Sequence, residues 1–142
     1  MKKIIFLIPG IFILVLFSCH KKAITANNAV AETKKAILDP NADMTATGTS
    51  YKVDSLAMNA NILSVFVNYS GGCKDHSFEL FSDGMYAKSI PPQLRLCLKH
   101  EANNDECKKP VKQELKFDVT DLKTKGGKTL ILIIGEKRVS WQ

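Results

Sequence analysis

From Tyr51 onward the chain alternates apolar and polar residues with a period of two, and that pattern restricts the fold more than any other feature. In "LRLCLKH" Leu94, Leu96 and Leu98 share one parity, while Arg95, Cys97 and Lys99 share the other. "LSVFVNY" sets Leu63, Val65, Val67 and Tyr69 on one face, and "HSFELF" groups His76 with Phe78 and Leu80. "ELKFDVT" opposes Leu115, Phe117 and Val119 to Lys116, Asp118 and Thr120. Successive side chains of a strand point to opposite faces, so each run describes a half-buried strand punctuated by Gly, Pro and Asp. "TLILIIG" is apolar throughout and reads as a central strand, with "RVSW" after a Gly-Glu-Lys turn. The expectation is an all-β domain over residues 51–142: a single small antiparallel β-sandwich of six to seven strands, with Phe78, Leu94, Leu96, Leu98 and Phe117 in its core. Nothing repeats at a fixed period, which excludes a solenoid.

The amino terminus follows different rules. "MKKIIFLIPGIFILVLFSC" begins with Lys2 and Lys3, is apolar from Ile4 to Phe17, and ends in Ser18 before Cys19. A charged start, a short apolar stretch and a small-residue junction are the parts of a secretory signal. The apolar run falls short of the ~20 residues a spanning helix needs. Leu16, Phe17, Ser18 and Cys19 resemble the lipobox of bacterial lipoproteins, with Phe17 departing from the small or aliphatic residue usual there. The resemblance implies cleavage before Cys19, acylation of that cysteine (palmitate or a similar chain) and anchorage to membrane lipid. His20 is not the aspartate that marks inner-membrane retention in that family, so the resemblance implies the outer membrane of the cell envelope.

The formal charge is +6, and loss of Lys2 and Lys3 with residues 1–18 leaves +4. Beyond Lys35 lysines alternate with acids and no aromatic interleaving accompanies them, which argues against a nucleic-acid partner. From His20 to Ser50 the chain is rich in Ala, Thr, Asn and Lys and has no aromatic residue, so it offers little apolar surface to offset ordering entropy. Three segments are therefore expected: a signal peptide over 1–18, a lipidated N-terminus and flexible linker over 19–50, and the β-sandwich over 51–142.

Chemistry-bearing residues concentrate around "YSGGCKDHSFEL". With Cys19 carrying lipid, Cys73, Cys97 and Cys107 remain, in a compartment that favours disulfides. Cys97 falls mid-strand, whereas Cys73 follows a Gly-Gly turn and Cys107 lies in "EANNDECKKP". A Cys73–Cys107 bridge is worth about 3–4 kcal/mol and a Cys97–Cys107 bridge about 3 kcal/mol, so energy leaves both pairings open. If "SDGMYAKSIPPQ" is one long hairpin loop, the flanking strands are antiparallel neighbours, and Cys73, His76, His100 and Cys107 gather at one edge. Two thiolates and two imidazoles are also a common tetrahedral zinc set, so zinc on Cys73, His76, His100 and Cys107 is the alternative to a disulfide and no cofactor. Asn103, Asn104, Asp105 and Glu106 offer oxygen ligands without the spacing or glycine of a calcium-binding EF-hand loop.

"GGCKDHSFEL", followed by "LKHEANNDEC" and "LKFDVTDL", resembles small cell-envelope lipoproteins of unknown function that share a pattern GGCxxHxF…LxxxH…DxC…LxFDL. The resemblance carries Gly71, Gly72, Cys73, His76, Phe78, His100, Asp105 and Cys107. Cys97 lies outside the pattern, which favours Cys73 and Cys107 as the pair. No Gly-x-Ser-x-Gly, His-Glu-x-x-His or phosphate-cradling loop occurs. Cys73 with His76 as nucleophile and base has no orienting partner in the sequence. The expected function is a non-catalytic, lipid-anchored envelope module with no catalytic residues, acting through contacts with an unidentified protein or glycan.

Overall fold

The computed structural model of the protein describes residues 32–123 and 129–142. The expected signal peptide and the candidate lipidation site Cys19 lie outside the described residues. Strands β1 (Thr33–Lys35), β2 (Ile37–Leu38), β3 (Tyr51–Asn59), β4 (Ile62–Gly71) and β5 (Ser77–Ser82) are followed by β6 (Tyr86–Ala87), β7 (Gln93–Glu101), β8 (Lys109–Asp118), β9 (Leu130–Ile134) and β10 (Lys137–Trp141). The only other regular element among the described residues is a 3-10 turn over Thr120–Leu122.

The strands form two sheets, ordered β1-β8-β4-β3 and β10-β9-β7-β5-β2, with β6 pairing to β7. Residues on the inward parity fill the space between them: Phe78, Leu94, Leu96, Leu98 and Phe117 are all buried, as the alternation predicts. β9 is central, between β10 and β7. The all-β architecture is as expected, but the sheets are mixed. β1 on β8, β2 on β5 and β7 on β9 are parallel pairs. The β7–β9 pairing follows from the route of the chain. After β7 it crosses to the other sheet to form β8, then returns beside β7 in the same direction. β10 packs against β3 where the two sheets approach each other.

The flexible linker expected as far as Ser50 is corrected for residues 32–50. Thr33–Lys35 extends the edge of one sheet beside β8, Ala36 is buried, and Ile37–Leu38 extends the edge of the other beside β5. A sheet edge presents unpaired N–H and C=O groups, and short strands can satisfy them without any alternation of side chains. Further along, Asp39 N–H donates to Ser82 O at 2.9 Å, Thr49 N–H to His100 O at 2.8 Å, and His100 N–H to Thr47 O at 2.9 Å. This strap lies over the outer face of β7. Cys97, on the outward parity of Arg95, is consequently buried, with its Sγ 3.9 Å from Ala46 O.

Candidate functional site

β5 and β7 are antiparallel neighbours, with Ser77 opposite Glu101 and Phe78 opposite His100. The long-loop reading of residues 82–93 is therefore right about the neighbours, although Tyr86–Ala87 folds back as a two-residue strand on Leu94 and Gln93. One end of the molecule accordingly collects the turn after β4, the start of β5, the end of β7 and the loop leading to β8.

The turn after β4 is shaped by its glycines. Gly72 has φ +96°, in the region that glycine adopts readily. Gly71 is required by proximity: a Cβ there would lie 2.6 Å from His76 Cε1 and Nε2 and 3.1 Å from Asp105 Oδ2. Cys73 and Cys107 form a disulfide with a Cα separation of 5.9 Å, within the normal range. Cys97 is unpaired.

Asp105 ties the two loops together. Its Oδ1 accepts from Cys107 N–H at 2.9 Å, and its Oδ2 accepts from Cys73 N–H at 2.9 Å and Lys74 N–H at 3.0 Å. His76 Nε2 approaches the same Oδ2 at 3.2 Å. The N–H groups of Cys107, Cys73 and Lys74, with a smaller contribution from the His76 side chain, hold the Asp105 carboxyl well below the usual carboxylate range. Lys74 Nζ donates to Asn104 O at 2.9 Å and Asn103 O at 3.3 Å. Asn103 Nδ2 donates to Asp75 O at 2.7 Å. The lysine ammonium thus sits on the backbone carbonyls of Asn103 and Asn104, in the loop that the sequence offers as a source of oxygen ligands.

Behind the disulfide lies a cluster of rings. His76 Nδ1 and His100 Nε2 are 2.8 Å apart, and His100 Nδ1 is 3.1 Å from Thr49 O. Phe78 stacks on His100 with centroids 4.2 Å apart and planes 1° from parallel. Tyr69 stacks on His76 at 4.6 Å. Tyr51 meets the edge of His100 at 5.9 Å, and its hydroxyl donates to Leu98 O at 2.5 Å. Burial, helped by the nearby Cys97, pushes the Tyr51 phenol up to about 12. Burial also pushes the His100 imidazole down.

The residues carried by the resemblance all meet here: Gly71 and Gly72 shape the turn, and Cys73, His76, Phe78, His100, Asp105 and Cys107 make the contacts given above. The four-ligand zinc set does not assemble in this oxidised form. The sulfurs of Cys73 and Cys107 are joined, and both ring nitrogens of His100 face protein atoms. The donors that do converge are Cys73 Sγ, an Asp105 carboxylate oxygen and Cys107 Sγ, all within 4.8 Å of one another. The sequence reading left out Thr49, Tyr51, Tyr69 and Lys74. Only Tyr69 was signalled, by its parity with Leu63, Val65 and Val67.

No family model matches the chain, and no curated protein matches it. The fold is shared with solved structures, among them the following two. A protein of unknown function, DUF1344, from Bacteroides vulgatus aligns with TM-score 0.53 at 13% identity over 78% of this chain and 56% of its own. A NigD-like immunity protein from Bacteroides caccae aligns with TM-score 0.52 at 16% identity over 77% of this chain and 59% of its own. The chain thus spans little more than half the length of these neighbours, and at such identities the likeness establishes the fold alone.

Proposed function

We propose that the chain is a lipid-anchored module of the cell envelope, held in the outer membrane by acylated Cys19, that works by binding or by structure rather than by catalysis. One observation carries the non-catalytic half of this reading: the side chains with chemical potential are spent on one another. The His76 and Asp105 side chains are each 1% exposed and His100 is fully buried, so none is offered to a substrate. Cys73 and Cys107, the cysteines beside them, are joined in a disulfide. Beside this closed end, Tyr51, Tyr69, Lys52, Glu106 and Lys108 line an open groove of about 810 Å³, a mixed aromatic and charged surface suited to protein or glycan contacts. The Bacteroides caccae neighbour is described as a NigD-like immunity protein, and at 16% identity that description names no partner for this chain.

The anchor half rests on the lipobox resemblance at Leu16–Cys19. Metabolic acyl labelling should mark the wild-type chain, and Cys19→Ala should abolish the label and leave uncleaved precursor. Normal processing of that variant to a soluble form would defeat the reading. Zinc is the second reading, favoured by the convergence of Cys73, Asp105 and Cys107 donors, and it requires the two sulfurs as free thiolates. Mature protein with two more free thiols after denaturation in chelator, and near one equivalent of zinc, would replace the first reading with this one.

A further inference from the structure

Three polar contacts run in series through the closed end: Thr49 O to His100 Nδ1, His100 Nε2 to His76 Nδ1, and His76 Nε2 to Asp105 Oδ2. Each contact needs one hydrogen between its heavy atoms. The carbonyl at one terminus and the carboxylate at the other are acceptors only. Two neutral imidazoles carry one N–H apiece, which gives two hydrogens for three contacts.

The shortfall can be located. His100 must spend a hydrogen on Thr49 O, because that carbonyl has none to give. Its Nε2 is then an acceptor, so His76 must donate from Nδ1. In a neutral His76 the remaining Nε2 would turn a lone pair toward the Asp105 carboxylate at 3.2 Å. A protonated Asp105 would supply the hydrogen from Oδ2, but that oxygen already accepts from Cys73 and Lys74 N–H. Bulk water has no access, since both side chains are 1% exposed.

We propose that this end of the protein is a proton-binding site: the His76–His100 pair holds three ring hydrogens, as a cationic His76 clamped between carboxylate Asp105 and neutral His100. The ring environments agree with this division. Tyr69 stacks on His76, where a cation gains from the face of an electron-rich ring, and Phe78 stacks on His100. The surrounding charges agree as well. Besides Asp105, the loop after β4 brings Asp75 near Tyr69, and Glu101 follows His100 on β7. Lys74 is turned to the carbonyls of Asn103 and Asn104. Across a small cavity of about 180 Å³ beside His76, Glu32 and Glu114 are balanced by Lys34 and Lys116. Asp105 is the one of these acids in contact with a histidine ring. It also binds the N–H groups of both disulfide cysteines, so the proton, the carboxylate and the bridge form one unit.

The test is nitrogen NMR of the folded, oxidised full chain with ring-15N histidine near neutral pH. His76→Gln identifies the His76 signals. Of the four ring nitrogens of His76 and His100, three should report as protonated, and the fourth, His100 Nε2, as unprotonated. Two protonated and two unprotonated nitrogens, the pattern of a neutral pair, would overturn the proposal. Asp105→Asn removes the negative charge, and in folded variant the count should fall from three to two at the same pH. Retention of three would show that Asp105 is not what holds the proton. If that variant does not fold, the wild-type count decides alone.

Discussion

The two ends of the β5–β7 hairpin invert the usual distribution of residue types. At the end where Ser77 faces Glu101, two histidines and an aspartate are sealed from water. At the other end, the loop between the same strands leaves Met85 largely exposed and Ile90 fully exposed, with Leu38 half-exposed nearby. Polarity is therefore a poor guide to position here, and valency is a better one. Each ring nitrogen of His76 and His100 finds a partner within 3.2 Å, so its lost hydration is replaced. The apolar loop residues stand singly, where exposure costs little.

That contrast can be broken by mutation, and it should break unevenly. Phe78→Ala removes the ring that stacks on His100 and touches Tyr51 and Tyr69, and should cost about 3–5 kcal/mol in urea denaturation. A cost below about 1 kcal/mol would mean that the ring cluster is loosely packed. Replacing Cys73 and Cys107 together by Ala opens a bridge of sequence separation 34 and should cost about 3–4 kcal/mol. Nonreducing peptide mapping should find these two cysteines linked and Cys97 free. A Cys97–Cys107 link would contradict the geometry outright.

Gly71→Ala drives a methyl group into the His76 ring and should cost about 1–3 kcal/mol, whereas an alanine with no measurable effect would show that the ring can retreat.

Acid should weaken the closed end selectively. Burial lowers the folded-state His100 value from the ordinary 6.5, so the unfolded chain takes up this proton first as pH falls. The contribution is intact above that value and is lost progressively below it, as the proton displaces the hydrogen bond from His76. Denaturation midpoints followed from about pH 6.5 down to about pH 5 should decline, and a flat profile over that window would show that His100 contributes nothing. Ile90→Ser, at the open end, should change stability by no more than about 0.5 kcal/mol. A larger loss would mean that the loop is braced against something and that the contrast between the ends is false.

The sequence was informative wherever side-chain parity decides the outcome. β4, β5, β7 and β8 bury the faces their alternation marks, because a one-residue slip would put every apolar group in water. It was silent where backbone groups decide. Thr33–Lys35 and Ile37–Leu38 have exposed side chains and no pattern, yet they pair because two sheet edges need partners. Cys97 was legible as outward-facing, but its burial depends on a strap that carries no apolar signal. At the closed end, the co-location of Cys73, His76, His100 and Cys107 could be reached from the hairpin assignment. The direct contact between the two imidazoles could not. It depends on Gly71 lacking a side chain, and a glycine in text does not say which neighbour needs the room.

The crossing of Thr33–Leu38 from one sheet to the other has a mechanical consequence. Among the described residues, tension from the N-terminal side first meets β1, whose backbone is bonded to β8, and passes within three residues to β2, bonded to β5. The load path therefore runs into both sheets. Detaching this segment requires rupture of hydrogen bonds on two separate edges, with Ala36 as a buried pivot between them. A strand fixed to one sheet alone would transmit the same pull as a force separating that sheet from its neighbour. Here the pull acts across a rivet that holds the two together.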